Sequence, residues 1–249
     1  MSRFGFLALA IFHTRQLLRT PFFVQQAFAA PLSFGLLRLF GSWGAGVELP
    51  NDLWFETALA GMWATTTTAV GIIGFQRFQG TLEYLAMSTR RPGSVFGSLC
   101  AAASVLGLVG LPISLAFQYL TTGSVQIDVA HLVGFMIGTL ACIASAFALA
   151  SIFVLSRSAT VYEPLILTPV WLLSGIVVPL AALPQWVLPF AAIHPLTGAV
   201  LATDANTAIE SLTWIGESLV AAAFWTLTAT FLLSRALHRA RVRGTLALA

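Results

Sequence analysis

The chain has 249 residues, of which 58% are hydrophobic and only 8% are charged, and its mean hydropathy is +0.89. A soluble domain of this composition could not cover its surface with polar groups, which excludes soluble enzymes and nucleic-acid-binding proteins. The formal net charge is +3, and all twelve basic residues counted in it are arginines, because the sequence contains no lysine.

Six apolar stretches each approach the roughly 20 residues that cross about 30 Å of hydrocarbon. They cover residues 22–41, 53–75, 95–120, 130–155, 163–180 and 212–233. Except for Arg38, the arginines lie before the first stretch, between the second and third, between the fourth and fifth, and after the sixth. The positive-inside rule places these segments and both termini in the cytoplasm. We therefore predict an all-α membrane protein with six spans, formed by residues 1–249 as a single transmembrane domain.

Residues 1–20 precede the first span and are too polar in their second half to cross a bilayer. Phe4, Leu7 and Ile11 form one apolar stripe, which predicts an interfacial helix; a frayed tail and a slanted extension of the first span are the alternatives. No short apolar run with a small-residue cleavage site precedes the first span, so we expect that span to be retained. Tryptophans near the predicted outer boundary suggest an aromatic belt: Trp43, Trp54, Trp186 and Trp214.

Three charged residues fall inside predicted spans, where ionisable groups are costly and mark candidate sites. Counting about 1.5 Å per residue puts Arg38, Glu56 and Glu217 at a similar depth in the outer leaflet, which predicts a salt bridge among them. A structural role, substrate gating and snorkelling to the interface are the possible interpretations. The second span also carries four consecutive threonines, Thr65 to Thr68, which could line a pathway or bond their own helix.

Residues 77–94, "RFQGTLEYLAMSTRRPGS", form a polar segment between the second and third spans. Leu82, Leu85, Ala86 and Thr89 share one helical face, and Pro92 with Gly93 ends the pattern. A helix of about ten residues is marginal in isolation and is expected to dock. A groove on a cytosolic partner is one docking site; the base of the chain's own bundle is another, and a mobile basic loop is the third possibility.

Two further patterns concern packing. Small residues recur every four positions in the fourth span, which predicts close packing inside the bundle, with a dimer seam as the alternative: Gly134, Gly138, Cys142, Ala146 and Ala150. Cys142 and Cys100 are interpreted as small packing residues. Six prolines between residues 164 and 195 exclude one straight helix, so the apolar segment 181–202 is predicted to form an outer hairpin of two short helices; an ordinary extracellular cap is the alternative.

Several enzyme and channel classes are excluded or disfavoured by missing residues. Without lysine the chain has no P-loop and cannot hydrolyse ATP in that way. Its four histidines lack the spacing of a zinc protease, and no TVGYG filter is present. An intramembrane serine protease would have to use Ser174 with His194, but "WLLSGI" lacks the first glycine of such motifs.

The run "QRFQGTLEYLAMST" resembles the segment of ABC transporter permeases of the type-2 exporter family in which a Gly-Thr-Leu-Glu core leads a coupling helix. "LSGIVVPLAALPQWVLPFAAIHPLTGAVLA" is similar to the family's fifth span and extracellular hairpin, and Arg19 with Pro21 fits its interfacial helix. Gln76 and Gln79 stand where members often have acidic residues, and "STRRPGS" replaces the usual Thr-Pro continuation. Together the likeness in topology covers nearly the whole chain.

The resemblance implies a permease that works as a dimer of identical or different permeases in the bacterial plasma membrane, with two ATPase subunits that bind ATP and Mg²⁺. It implies export of a drug, antibiotic, lipid or glycoconjugate, with no catalytic residue, metal or cofactor in this chain. The loop 77–91 would contact the ATPase through Arg77, Thr81, Leu82, Glu83, Leu85 and Arg90. Thr65, Thr68 and Trp171 are candidates for the substrate pathway. A secondary transporter is the main alternative function.

Overall fold

The structure is a computed structural model that describes residues 4–78, 84, 88, 90–155 and 162–243. Within these residues the chain is helical and forms no strand, so the all-α prediction is confirmed. The helices are α1 (Phe4–Arg19), α2 (Pro21–Ala45), α3 (Leu53–Phe78), α4 (Pro92–Gly107), α5 (Gly110–Thr122), α6 (Val129–Leu155), α7 (Glu163–Leu172), α8 (Leu188–Ala192), α9 (Pro195–Leu201) and α10 (Ala208–Arg243).

Four helical stretches among the described residues are long and apolar enough to cross a membrane: Pro21–Ala45, Pro92–Thr122, Val129–Val154 and Ala208–Arg239. The other two predicted spans correspond to α3 and α7. Glu56 and the threonine run lower the mean hydropathy of α3, and α7 has ten residues, about 15 Å of helix. These four stretches indicate a multi-pass membrane protein.

The third predicted span is a helix with a break, α4 followed by α5. Pro112 has no backbone N–H, so it cannot bond to the carbonyl of Leu108, which instead accepts from the amide of Leu111 at 3.1 Å. A local defect of this kind bends a helix without ending the span.

Helix α3 lies at the centre and packs against α2, α4, α5 and α6, while α10 packs along α6 and α1 packs on α4. The small residues of α6 lie inside this bundle, as predicted. A Cβ on Gly138 would clash with the side chain of Leu59 in α3, and Cys142, Ala146 and Ala150 are buried. Cys100 is a free, buried cysteine as well.

The proline-rich segment after α7 is broken as its prolines require. The fifth predicted span continues to residue 180, but α7 ends at Leu172 and Gly175 adopts a φ of 82°, which favours glycine. Two short helices, α8 and α9, follow after a turn of 3-10 helix at Leu180–Ala182. Helix α9 touches α10 closely, because a Cβ on Gly198 would lie 2.5 Å from the carbonyl oxygen of Trp214.

An aromatic belt requires exposed tryptophan side chains. Trp43 and Trp186 meet this requirement, and Trp54 does not. Trp43 and Trp186 are 68% and 75% exposed, whereas Trp54 is fully buried. The indole Nε1 of Trp54 donates to the carbonyl of Gln126 at 2.9 Å. Trp54 therefore ties the start of α3 to the loop before α6 instead of facing lipid headgroups.

Candidate functional site

An ion pair joins α2 to α3 near the C-terminal end of α2 and the N-terminal end of α3. The guanidinium Nη2 of Arg38 lies 2.7 Å from Oε2 of Glu56, and the two side chains are 39% and 30% exposed. Arg38 is about two turns from the end of α2, and Glu56 lies in the first turn of α3. The pair lies at the junction of two cavities.

The first of these, the outer cavity, has a volume of about 290 Å³ and lies between α3, the loop after α7 and the end of α9. Its charged lining consists of Arg38 and three carboxylates, Asp52, Glu56 and Asp204. His131 at the start of α6 approaches from outside the lining, with its Nε2 3.5 Å from Asp52 Oδ2. The outer cavity is therefore net negative when His131 is neutral.

Two carboxyl groups in the loops at this end of the bundle have shifted pKa values. Partial burial, and then the charge of Asp52, raise the pKa of Asp204. The pKa of Asp128 is lowered, chiefly because its carboxylate accepts a hydrogen bond of 2.8 Å from the backbone N–H of His131. Asp128 thus caps α6, whereas Asp204 faces the cavity with a like charge nearby.

The second, the middle cavity, also measures about 290 Å³ and continues from Arg38 and Glu56 between α2, α3 and α7. Apart from the ion pair and Thr57 its lining is apolar, and it includes Phe34 and Trp171. These two rings meet edge to face, with centroids 4.9 Å apart. They separate the middle cavity from the next one.

The third, the inner cavity, has a volume of about 260 Å³ and begins on the other side of Phe34 and Trp171. Its polar lining comes from Gln26, Thr67 and Thr168. Along α3 the three cavities extend from Asp52 to Thr67, which is about 22 Å at 1.5 Å per residue. They form a row of adjoining spaces, with charged groups at the end near Asp52, aromatic rings in the middle and neutral polar groups at the end near Thr67.

The threonines predicted for a pathway mostly bond their own helix. Thr65 Oγ1 donates to the carbonyl of Gly61 at 2.8 Å and Thr68 Oγ1 to that of Ala64 at 3.1 Å, and neither lines these cavities. Thr67 is the member of the run that faces the inner cavity. Trp171 lines two cavities, and its buried Nε1 has no hydrogen-bond acceptor among the described residues.

Glu217 does not join the ion pair, so the predicted three-membered charge cluster does not form. It lies on α10 and is exposed beside a groove with Thr213 and Val220. Helix α10 packs on α6, α9 and α4, whereas α2, which carries Arg38, packs on α3 and α5. Glu217 was predicted at the same depth as Arg38 and Glu56, but it lies on a different side of the bundle.

Most residues predicted to contact an ATPase lie outside the described part of the structure. These are Thr81, Leu82, Glu83 and Leu85, together with the side chain of Arg77. Arg90 is described, is exposed, and places its guanidinium against Gly5 of α1, where a Cβ would clash. The end of the loop 77–91 thus touches the helix that packs on α4.

Ser174 and His194 do not form a nucleophile and base. Ser174 Oγ donates to the carbonyl of Trp171 at 2.6 Å, and His194 Nδ1 accepts from the amide of Leu196 at 3.2 Å. The ring of His194 packs between Trp63 and Trp225, with centroid distances of 5.8 and 5.3 Å. His194 caps α9 and fills space in the bundle.

Sequence reasoning missed several residues that shape the site. Asp52 and Asp204 lie in polar loops without any motif, and Phe34 is one of many phenylalanines in the predicted spans, so the sequence alone marks none of them. Buried Gln118 of α5 accepts from the amide of Trp54 at 2.7 Å and donates to the carbonyl of Asn51. This side chain satisfies a free amide in the first turn of α3, and a glutamine inside the third apolar span was the only available hint.

Comparison with known proteins identifies the family. A sequence model described as "ABC-2 type transporter" matches residues 5–206, which includes every residue of the three cavities. No curated protein matches the chain, and no solved structure does. The matched range covers most of the 249 residues and includes α1 to α9. The chain belongs to the ABC-2 type transporter family and is a membrane permease component of an ABC transporter, not itself an ATPase.

Proposed function

We propose that this chain is the permease subunit of an ATP-driven exporter in the bacterial plasma membrane. In this proposal two permeases, identical or different, assemble with two ATPase subunits that bind ATP and Mg²⁺. The row of three cavities along α2, α3 and α7 is the observation that carries the proposal. It provides polar groups at both ends and a closure at Phe34 and Trp171, which suits stepwise passage of a bound molecule.

We also propose a six-span topology in which α8 and α9 form a re-entrant outer hairpin beside the three cavities. His194, at the start of α9, contacts Trp63, which lies ten residues below the start of α3. Ten residues of helix are about 15 Å, half of the hydrocarbon thickness, so α8 and α9 would dip into the outer leaflet. Freed backbone groups at that depth need protein partners, and Pro195 finds one: its carbonyl accepts from Ser218 Oγ at 2.6 Å.

Coupling to the ATPase would pass through the loop 77–91. The residues proposed for this contact remain Arg77, Thr81, Leu82, Glu83, Leu85 and Arg90. Arg90 lies against Gly5 of α1, and α1 packs on α4, so displacement of the loop would press on the inner end of the bundle. Nucleotide could bias the permease only if the ATPase contact differs between two permease states.

Reconstitution tests the proposal. The permease, purified with its associated ATPase and returned to proteoliposomes, should raise the ATPase rate and move substrate only with ATP and Mg²⁺. Leu82→Asp and Leu85→Asp should abolish both effects, whereas Arg239→Ala at the exposed end of α10 should retain them. Transport driven by a proton or sodium gradient without any ATPase would instead establish the secondary-transporter alternative.

A further inference from the structure

We propose that the outer and middle cavities together bind cationic amphiphiles, with the cation in the outer cavity and the apolar body in the middle one. This assigns a substrate class to the pathway and rests on the proposed function for transport, although binding can be measured without it. The two cavities share Arg38, Glu56 and Ile176, so one molecule can occupy both. Their volumes of about 290 Å³ each suit a drug-sized ligand.

The charge of the outer cavity selects the sign of the ligand. Arg38 is already paired with Glu56 at 2.7 Å, which leaves Asp52 and Asp204 as negative charges without an arginine partner there. The imidazole of His131 contacts both Asp52 and Asp128. Its Nδ1 lies 2.7 Å from Asp128 Oδ1, whereas its Nε2 lies 3.5 Å from Asp52 Oδ2. An organic cation would relieve the repulsion between Asp52 and Asp204, whereas an anion would add a third negative charge.

The lining of the middle cavity selects an apolar, aromatic-compatible body. Phe34, Leu37, Ile176 and Val177 are apolar, and Trp171 lines the same cavity with its aromatic ring. Burial of the apolar body of a ligand against these side chains would stabilise binding.

The test uses two probes of nearly the same shape and opposite charge, tetraphenylphosphonium and tetraphenylborate. The purified permease, without any ATPase, is placed in phosphatidylcholine nanodiscs, and equilibrium dialysis against empty nanodiscs isolates saturable binding. We expect saturable binding of tetraphenylphosphonium only. Equal saturable binding of both ions, or none of the cation, would overturn the proposal.

Matched variants locate the binding. Asp52→Asn with Asp204→Asn should weaken tetraphenylphosphonium binding about tenfold, since both negative charges without an arginine partner are lost from the outer cavity. Trp171→Leu should weaken it as well. Glu48→Gln removes an exposed carboxylate that does not line the cavities and should leave the affinity unchanged. Thermal unfolding of each variant reports whether it is folded, and a folded double variant with unchanged affinity contradicts the assignment.

The outcomes separate this inference from the proposed function. Selective cation binding in a permease that no ATPase drives would support the site and reject ATP-driven export. ATP-dependent transport by a permease that binds the two probes alike would support export and reject the cationic substrate class.

Discussion

The ion pair between Arg38 and Glu56 is partly exposed, so its favourable interaction is expected to be about 1 kcal/mol. Removal of one partner leaves the other charge alone at the edge of two cavities. We predict that Arg38→Met and Glu56→Gln each lower the midpoint of thermal unfolding, and that the double variant loses less than the two effects combined. A double-mutant cycle in detergent measures this, with Arg19→Met at the exposed end of α1 as control. Additive losses would show that the pair is energetically uncoupled.

Individual residues were predictable where depth alone decides a contact. Arg38 and Glu56 lie on neighbouring helices, so counting residues along each helix was sufficient to pair them. Glu217 has the same depth but lies on a helix whose position around the bundle depends on contacts among all helices. The roles of Gln118 and Trp54 were equally hidden, because each bonds across more than 60 residues of chain.

The close contact between helices α9 and α10 can be tested with a single substitution. A Cβ on Gly198 would lie 2.5 Å from the carbonyl oxygen of Trp214 and 2.9 Å from the amide nitrogen of Ser218. Both atoms are backbone, so neither can move alone. We predict that Gly198→Ala lowers the free energy of unfolding by about 1–3 kcal/mol.

Chemical or thermal unfolding in detergent measures this loss, and Gly41→Ala is the matched control. Gly41 lies in α2 with nothing within 4 Å of the position of a Cβ, so alanine there should stabilise by about 0.5–1 kcal/mol through helix propensity. A Gly198→Ala variant as stable as the parent would mean that α9 is free to shift away from α10.

Elements were predictable where prolines and apolar length determine them. The prolines after residue 163 predicted a broken segment with short helices, and α8 and α9 are present. The end of α7 at Leu172 was not predicted, because the apolar residues up to 180 continue without a change in composition. Similarly, the break between α4 and α5 depends on one proline inside an unbroken apolar run.

For the whole molecule, the distribution of arginines predicts a topology that single cysteines can test. The two native cysteines are fully buried, so they give little background with a membrane-impermeant maleimide. In intact cells Glu48→Cys should be labelled, whereas Tyr84→Cys, at a position 74% exposed, should react only after permeabilisation. Labelling of Tyr84→Cys but not of Glu48→Cys in intact cells would reverse the orientation, and labelling of both would mean that α3 does not cross the membrane.

The short length of α7 has a consequence for how a molecule could reach the row of cavities. Helix α7 has ten residues and contains Pro169. After its end, the carbonyl of Leu173 accepts a hydrogen bond of 3.2 Å from Thr197 Oγ1. A tilt of α7 would separate Trp171 from Phe34 of α2 and would open the middle cavity towards the hydrocarbon. We therefore expect partitioning into the bilayer, more than concentration in water, to govern how fast the site is filled.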